Sequence, residues 1–272
     1  SASGGLAMSI SQKFIANAGI IYGVRYSSDF TNIEYTRLSA EKELDVLRTS
    51  KYCQARKNNI YENVIEDLKR EEKVLFIGLP CDIAALNNLS KNKYPNLFTI
   101  ELICHGTTSH KVHQEYVSSL KQKTGSSVIT GFSVRYKLKG WKPYYVQAKF
   151  DNIKNFTELF HESDYGIAFR YLKRPSCNVC RFKLNDDKFG LQADLTIGDY
   201  HYAHRGMDTY NQWGSSVAFV HTIKGKQLLE ACQDIFHLFK TDSRSALKNR
   251  ALYEAIPAKI NRNSFAKCFI KK

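Results

Sequence analysis

Two cysteines separated by two residues are the side chains most clearly equipped for chemistry: Cys177 and Cys180, in Pro175-Ser176-Cys177-Asn178-Val179-Cys180-Arg181-Phe182. A C-x-x-C turn aims two thiolates the same way, a geometry shared by zinc knuckles, iron–sulfur sites and dithiol redox centres. The pair alone does not choose among them. Cys81 and Cys104 narrow the choice, because each stands just past the carboxyl end of an expected strand and one helix separates the two strands. A right-handed βαβ crossover returns the chain to the same edge of a sheet, so the two thiols should emerge side by side. That edge is where α/β sheets bind ligands. Four thiolates gathered there suit either zinc or a 4Fe–4S cluster. Of the remaining cysteines, Cys232 has apolar neighbours at helical spacing and reads as core. Cys268 sits in a basic tail beside Phe265 and Phe269 with no evident partner, and Cys53 reads as packing rather than chemistry.

The chain of 272 residues holds seven cysteines, an odd number without disulfide-like spacing, and is long enough not to need covalent staples. Nothing at its start reads as a secretory signal, so the thiols are expected to be reduced and the protein cytoplasmic. The lack of an initiator Met reads as the mark of a fragment. The longest apolar runs are far too short to span a bilayer. Forty Lys and Arg against 26 Asp and Glu give a net charge of +14. That surplus suits an anionic small molecule. The positive residues are scattered rather than striped, which argues against nucleic acid as a partner.

Periodicity supplies the elements that must position these residues. Helix Leu6–Ala18 is followed by strands Ile20–Tyr26 and Ile33–Leu38, an acidic helix Ala40–Leu47 and an amphipathic helix Ile60–Glu71. The βαβ unit runs from strand Val74–Ile77 through loop Gly78–Cys81 and helix Ile83–Leu89 to strand Leu97–Ile103, and helix Val112–Lys123 follows. Ser127–Tyr136 and Tyr144–Phe150 alternate about a turn and read as an antiparallel hairpin. Asp151–Arg174 reads as a helix and loop, Ala193–Gly198 and Val217–Thr222 as strands, Lys226–Phe239 as a helix, and the C-terminus as helical and basic. The fold class is α/β: a mixed sheet with flanking helices, a βαβ unit in the first half and an antiparallel hairpin in the middle. One domain over 1–272 is expected, divisible into a βα half (1–125) and a hairpin, C-x-x-C and helical half (126–272). Ser1-Ala2-Ser3-Gly4-Gly5 opens the first helix. Small residues at a helix N-terminus let backbone amides approach a phosphate, although such a start is also an ordinary N-cap.

These pieces follow one another in a telling order. Ser3-Gly4-Gly5 precedes Leu47-Arg48-Thr49-Ser50-Lys51-Tyr52-Cys53-Gln54, then Gly78-Leu79-Pro80-Cys81-Asp82-Ile83-Ala84 and Leu102-Ile103-Cys104-His105-Gly106. Gly140-Trp141, Cys177-Asn178-Val179-Cys180 and Ala193-Asp194-Leu195-Thr196-Ile197-Gly198-Asp199 complete the series. The ordered set, from about Ser1 to Lys226, resembles the coenzyme F420 hydrogenase/dehydrogenase beta-subunit family. The resemblance implies an FAD- and 4Fe–4S-dependent oxidoreductase passing electrons between a ferredoxin-type carrier, or a ferredoxin-like domain, and a deazaflavin or other small molecule. It implies Cys81, Cys104, Cys177 and Cys180 as cluster ligands. Ser3, Gly4, Gly5, Ser50, Lys51 and Tyr52, with Gly78 and Pro80, become parts of the flavin pocket, and Lys51 a counter-charge there. His105 and Asp199 become groups that orient flavin or substrate. Flavin takes up two electrons together and a cluster carries one at a time, so the pair would couple the two regimes.

Three departures bear on the substrate. No ferredoxin-like C-x-x-C-x-x-C-x-x-x-C-P segment is present, Tyr200-His201-Tyr202 stands where relatives have Trp-Gly, and Thr108 replaces a usual Pro. They put F420 itself in question. Bacterial relatives accompany cell-surface polysaccharide genes, which adds sugar nucleotides and lipid-linked sugars to the candidates. A homo-oligomer is open to the chain. The competing reading is a zinc-stapled sugar-modifying or assembly protein of polysaccharide biosynthesis, without redox chemistry.

Overall fold

The computed structural model describes residues 2–152 and 155–258. Ser1, Cys268 and the expected basic C-terminal helix beyond 258 lie outside the described residues. Helix α1 (Leu6–Ala16) leads into strand β1 (Ile20–Tyr26), which pairs antiparallel with β2 (Ile33–Leu38). The acidic segment Glu41–Leu47 is a 3₁₀ helix, its first turn closed by the Glu43 carboxylate accepting from Ser39 and Ala40 N–H at 3.0 Å each. Helix α2 (Ile60–Lys69), strand β3 (Val74–Gly78), helix α3 (Pro80–Ser90) and strand β4 (Leu97–Leu102) follow, then helix α4 (His110–Thr124).

Strands β5 (Ile129–Lys137), β6 (Tyr144–Phe150) and β7 (Asn155–Leu159) form a separate antiparallel sheet, and helix α5 (Asp164–Tyr171) comes next. Strands β8 (Leu195–Asp199) and β9 (Ser216–Val220) return to the first sheet, and helix α6 (Ile223–Glu230) follows. The large sheet has the order β2-β1-β3-β4-β8-β9, with β1, β3, β4 and β8 parallel and the two edge strands antiparallel.

The central strand explains its own sequence. All five residues of β3, Val-Leu-Phe-Ile-Gly, are buried because helices cover both faces of the parallel strands. On one face, Ile60, Val64 and Leu68 of α2 and Ile83 and Leu86 of α3 pack on Tyr22, Val74 and Phe76. On the other, Leu6 and Ile10 of α1 and Leu228 of α6 pack on Ile21, Leu75, Ile100 and Leu195. A third core, with Tyr116, Val117, Phe132, Val146, Phe160 and Tyr165, joins α4 and α5 to the small sheet.

Three elements differ from the sequence expectation. Within Asp151–Arg174 the described residues form β7 before helix α5, because Phe156 and Glu158 pair with Ala148 and Val146 and extend the hairpin by one strand. The helix expected over Lys226–Phe239 starts earlier and ends sooner. Thr222 caps it by accepting from Gly225 N–H at 3.2 Å, and after Glu230 the backbone tightens into turns such as Cys232 N–H to Leu229 O, 3.0 Å. Cys232 remains fully buried, whereas Leu238 and Phe239, which completed the apolar period, are exposed. Helix α3 begins at Pro80, a residue suited to a first helical position, so Cys81 lies in its first turn rather than in the loop.

Among the described residues no helix is long and apolar enough to cross a membrane. His113 on α4 shows what the third core costs to charge. Its ring is fully buried between Tyr26 and Phe132, Nε2 donates to Phe30 O at 2.8 Å, and burial pulls its pKa down to about 4. Unfolded, this histidine takes up its proton near pH 6.5, so acid favours the unfolded chain across that interval. Relative to His113→Gln, which keeps a donor for Phe30, the wild type should lose about 2 kcal/mol of stability between pH 7 and pH 5. Urea midpoints of both proteins at the two pH values measure it.

Candidate functional site

The register of β3 against β4 sets the first two thiols. Gly78 pairs with Glu101, and Cys81 and Cys104 stand at the same offset beyond that pair, at the carboxyl rim of the parallel strands. Cys104 is reached by a short loop in which Gly106 N–H donates to Cys104 Sγ at 3.3 Å. Gly106 has φ +99°, a left-handed conformation open to glycine. A Cβ there would sit 3.1 Å from Cys177 Cβ, so this glycine lets the C-x-x-C turn close on the Cys104 loop. The turn itself is a short 3₁₀ segment, Pro175–Cys177, tied down by Arg174 N–H to Thr107 O at 2.8 Å.

All four thiols border one cavity of about 1090 Å³, slightly above the span of about 300–1,000 Å³ usual for ligand pockets. Its walls come from the start of α1, the segment Leu47–Ala55, the rim of the large sheet, the C-x-x-C turn and the hairpin sheet. Among the described residues no three His, Cys, Asp or Glu side chains are grouped as ligands of a single ion. The thiols converge on a space, not on a point.

Electrostatics at the thiols is unusual. Burial pushes the Cys81 thiol up to about 12 and Cys104 up to about 11. The Asp82 carboxylate and Cys104 add to the first shift, and Cys177 and Cys180 add to the second. Around them stand Lys57, Lys173, Arg174 and Lys183, all within electrostatic reach of Cys81 or Cys104. Lys173 and Lys183 are only 6% and 5% exposed. Lys173 donates to Ile256 O at 2.8 Å, and Lys183 donates to Cys104 O at 2.8 Å and Ala251 O at 2.5 Å. Neither makes a contact ion pair with a carboxylate among the described residues; Glu101 lies within the longer reach of Lys183.

The N-terminal cradle is built around Ser216. Ser3 Oγ and Ser216 Oγ are 2.9 Å apart, and Gly4 N–H donates to Ser216 Oγ at 3.0 Å. Gly5, with φ +89°, turns the chain into α1. Ser3, Gly5, Ser50, Lys51, Tyr52 and Pro80 line the cavity, whereas Gly4 and Gly78 do not and pack behind its wall, against Ser216 and Tyr35. Lys51 Nζ donates to the carbonyls of Val46, Leu47, Arg48 and Thr49 at 2.9–3.3 Å, an ammonium at the C-terminal end of the 3₁₀ helix, and burial lowers its pKa to about 7. Tyr52 stacks on Phe169 at 4.7 Å, and its carbonyl accepts from Thr108 Oγ1 at 3.2 Å. Cys53 is buried at this wall, bridged to Thr108 in a short parallel contact.

His105 and Asp199 both face the cavity. His105 is exposed at the cavity wall, and partial desolvation together with the charges of Lys173, His201 and Lys183 lowers its pKa below the ordinary histidine value. Asp199 accepts from Arg135 Nη1 at 2.8 Å. Arg135, 7% exposed and stacked 4.9 Å over Tyr144, went unnoticed in the sequence. Strict alternation along β5 would turn Arg135 outward once Val134 points in. A bulge between Ser133 and Tyr136 breaks the alternation and buries both residues. Lys142, His161, Arg170 and His201 join the same wall, again without a sequence signal beyond His201 lying in the departure Tyr200-His201-Tyr202.

Comparison with known proteins adds two findings. Residues 71–241 match the family described as the C terminus of the coenzyme F420 hydrogenase/dehydrogenase beta subunit. The fold is similar to a chain in the xenon-derivatized F420-reducing [NiFe] hydrogenase complex from Methanosarcina barkeri, with a TM-score of 0.53 and 16% identity over 99% of this chain and 81% of that one. At that identity the likeness speaks for the fold alone. No curated protein matches the chain significantly.

Gly106→Ala should wedge the Cys104 loop away from the C-x-x-C turn. We expect a loss of roughly 1–3 kcal/mol from the strained backbone and faster alkylation of Cys177. Urea unfolding and mass-spectrometric thiol labelling measure the two effects.

Proposed function

Because the chain belongs to the coenzyme F420 hydrogenase/dehydrogenase beta-subunit family, a family of redox proteins, we propose that it is a flavin- and iron–sulfur-dependent oxidoreductase. It would exchange electrons between a ferredoxin-type carrier and a small anionic substrate. The carrying observation is the pair of buried lysines, Lys173 and Lys183, set beside thiols from two separate segments, Cys104 and the C-x-x-C turn. A buried ammonium without a counter-ion is expensive. Thiolates bound to iron are anionic, and an iron–sulfur centre in this space would give both lysines the partner that the described carboxylates do not supply at contact distance.

Cys81, Cys104, Cys177 and Cys180 would hold the cluster. A single zinc ion would need sulfurs about 3.8 Å apart, from Zn–S bonds of about 2.3 Å in a tetrahedron. In a cluster each thiolate takes its own iron, so the four thiols that border the cavity need not converge on one ion. FAD would lie along the start of α1 and Ser50–Tyr52, where the helix N-terminus favours phosphate. When bound, FAD supplies two-electron chemistry and the cluster one-electron transfer.

The chain's own groups have separable tasks. Gly5 allows the backbone to turn into α1 at the cavity wall, and Lys51, its pKa lowered to about 7, would supply a partial positive charge at that end. Phe160, Phe169 and Ile197 keep water from the interior. His105, neutral at pH 7, can donate or accept a hydrogen bond at the cavity without adding charge. Arg135 holds the Asp199 carboxylate in place.

Anaerobically purified protein should be yellow-brown, with flavin bands over a broad iron–sulfur shoulder and about four iron per chain. Cys177→Ser should lose most of that iron, whereas Cys232→Ala, in the apolar core, should retain it. Colourless protein with one zinc per chain would overturn the reading, as would equal iron loss in the two variants.

A further inference from the structure

The hairpin end of the cavity carries a second concentration of charge that neither the thiols nor the N-terminal cradle explains. Arg135 on β5, Lys142 ahead of β6, His161 after β7, Arg170 on α5 and His201 after β8 all line it. They act on one another. Arg170 and Lys142 both help to hold His161 below its usual pKa after burial. Lys142 and Arg135 do the same for His201, against the opposing effect of Asp199. Asp199, paired with Arg135, is thus the carboxylate lining this end of the cavity, whose wall also carries Lys142 and Arg170.

Two of those cations keep a guanidinium N–H that no described protein group pairs, although both Nε atoms are closed off from the open cavity as the side chains stand. Arg135 Nε is buried with no hydrogen-bond partner, although Nη1 is engaged by Asp199. Arg170 Nε is likewise buried and unpartnered, while its Nη2 donates to His161 O at 2.5 Å. Buried guanidinium N–H groups are normally satisfied. Lys142 is exposed over the Trp141 ring, 4.4 Å from its centroid, and so keeps an ammonium at the mouth. Rings stand beside these groups: Tyr144 lies under Arg135 and against His161, and Trp141 lies under Lys142 and against His201.

We infer that this end of the cavity is a phosphate-binding subsite for the substrate, in which Arg135, Arg170 and Lys142 grip the oxyanion while the surrounding rings carry the body of the molecule. Three cations from three elements suit a group with three oxygens and nearly two negative charges better than a single carboxylate, which one planar fork would satisfy. The inference rests on the proposed redox function only for the claim that the bound molecule is the substrate. The subsite belongs to the hairpin and α5, whereas the proposed flavin cradle belongs to α1 and Ser50–Tyr52.

The test is a calorimetric titration of the protein as purified with inorganic pyrophosphate at constant ionic strength, comparing wild type, Lys142→Gln, Arg170→Gln and Arg170→Lys. Lys142 is exposed, so its replacement leaves folding intact, and melting temperatures check Arg170. Wild type should bind pyrophosphate saturably. Each Gln variant should bind roughly tenfold more weakly, Arg170→Lys should recover part of the loss, and flavin absorbance should be the same in all four proteins. Absence of saturable binding, or equal affinity in wild type and the Gln variants, would overturn the subsite. Joint loss of flavin and pyrophosphate binding in the Gln variants would overturn it too, by assigning these cations to the cofactor. If the wild type carries no flavin, the redox function fails while the titration still decides the subsite.

Discussion

Parallel pairing of β3 with β4 is the constraint from which the site follows. Once Gly78 is level with Glu101, equal offsets carry Cys81 and Cys104 to the same rim. Everything else at that rim must be brought to them. The C-x-x-C turn follows α5 in the chain and is seated by the Gly106 contact, by Arg174 N–H to Thr107 O and by Ala258 N–H to Asn178 Oδ1. The strands beneath are covered on both faces, so the rim is a firm frame for the arriving turn.

Charge organises the cavity into regions. Lysines buried beside the thiols lie at one region, with their ammonium groups solvated by backbone carbonyls instead of water. Another region is the α1 start with Lys51, where the ammonium again takes carbonyl partners. The third is the hairpin wall, where Arg135 is countered by Asp199. Carbonyls lower the cost of burying a cation without cancelling its charge, so each region keeps a positive potential available to a ligand. The net charge of +14 is thus in part a feature of the interior, not only a property of the solvated surface.

Much of the scaffold was legible in the residues. The β1, β2 and β6 boundaries follow directly from apolar runs and alternation, and the β3-α3-β4 crossover from strand, turn and helix spacing. The misses have identifiable causes. A capping threonine, Thr222, moved the start of α6, and tight turns after Glu230 ended an apolar period whose last members, Leu238 and Phe239, are exposed among the described residues. Strand β7 is short and partly polar, and it exists because β6 offers it an edge.

The cysteines, their spacing and the ordered motifs were determined by sequence alone, and these identify the family and the rim of the sheet, since handedness and periodicity are local rules of the chain. Tertiary structure decided which basic residues matter. Arg135 reads as an outward residue until the bulge in β5 reverses it, and Arg170, Lys142 and His161 become neighbours only when α5 and the hairpin meet. Such encounters depend on how separate elements pack, and no pattern along one element records the partner that another will bring.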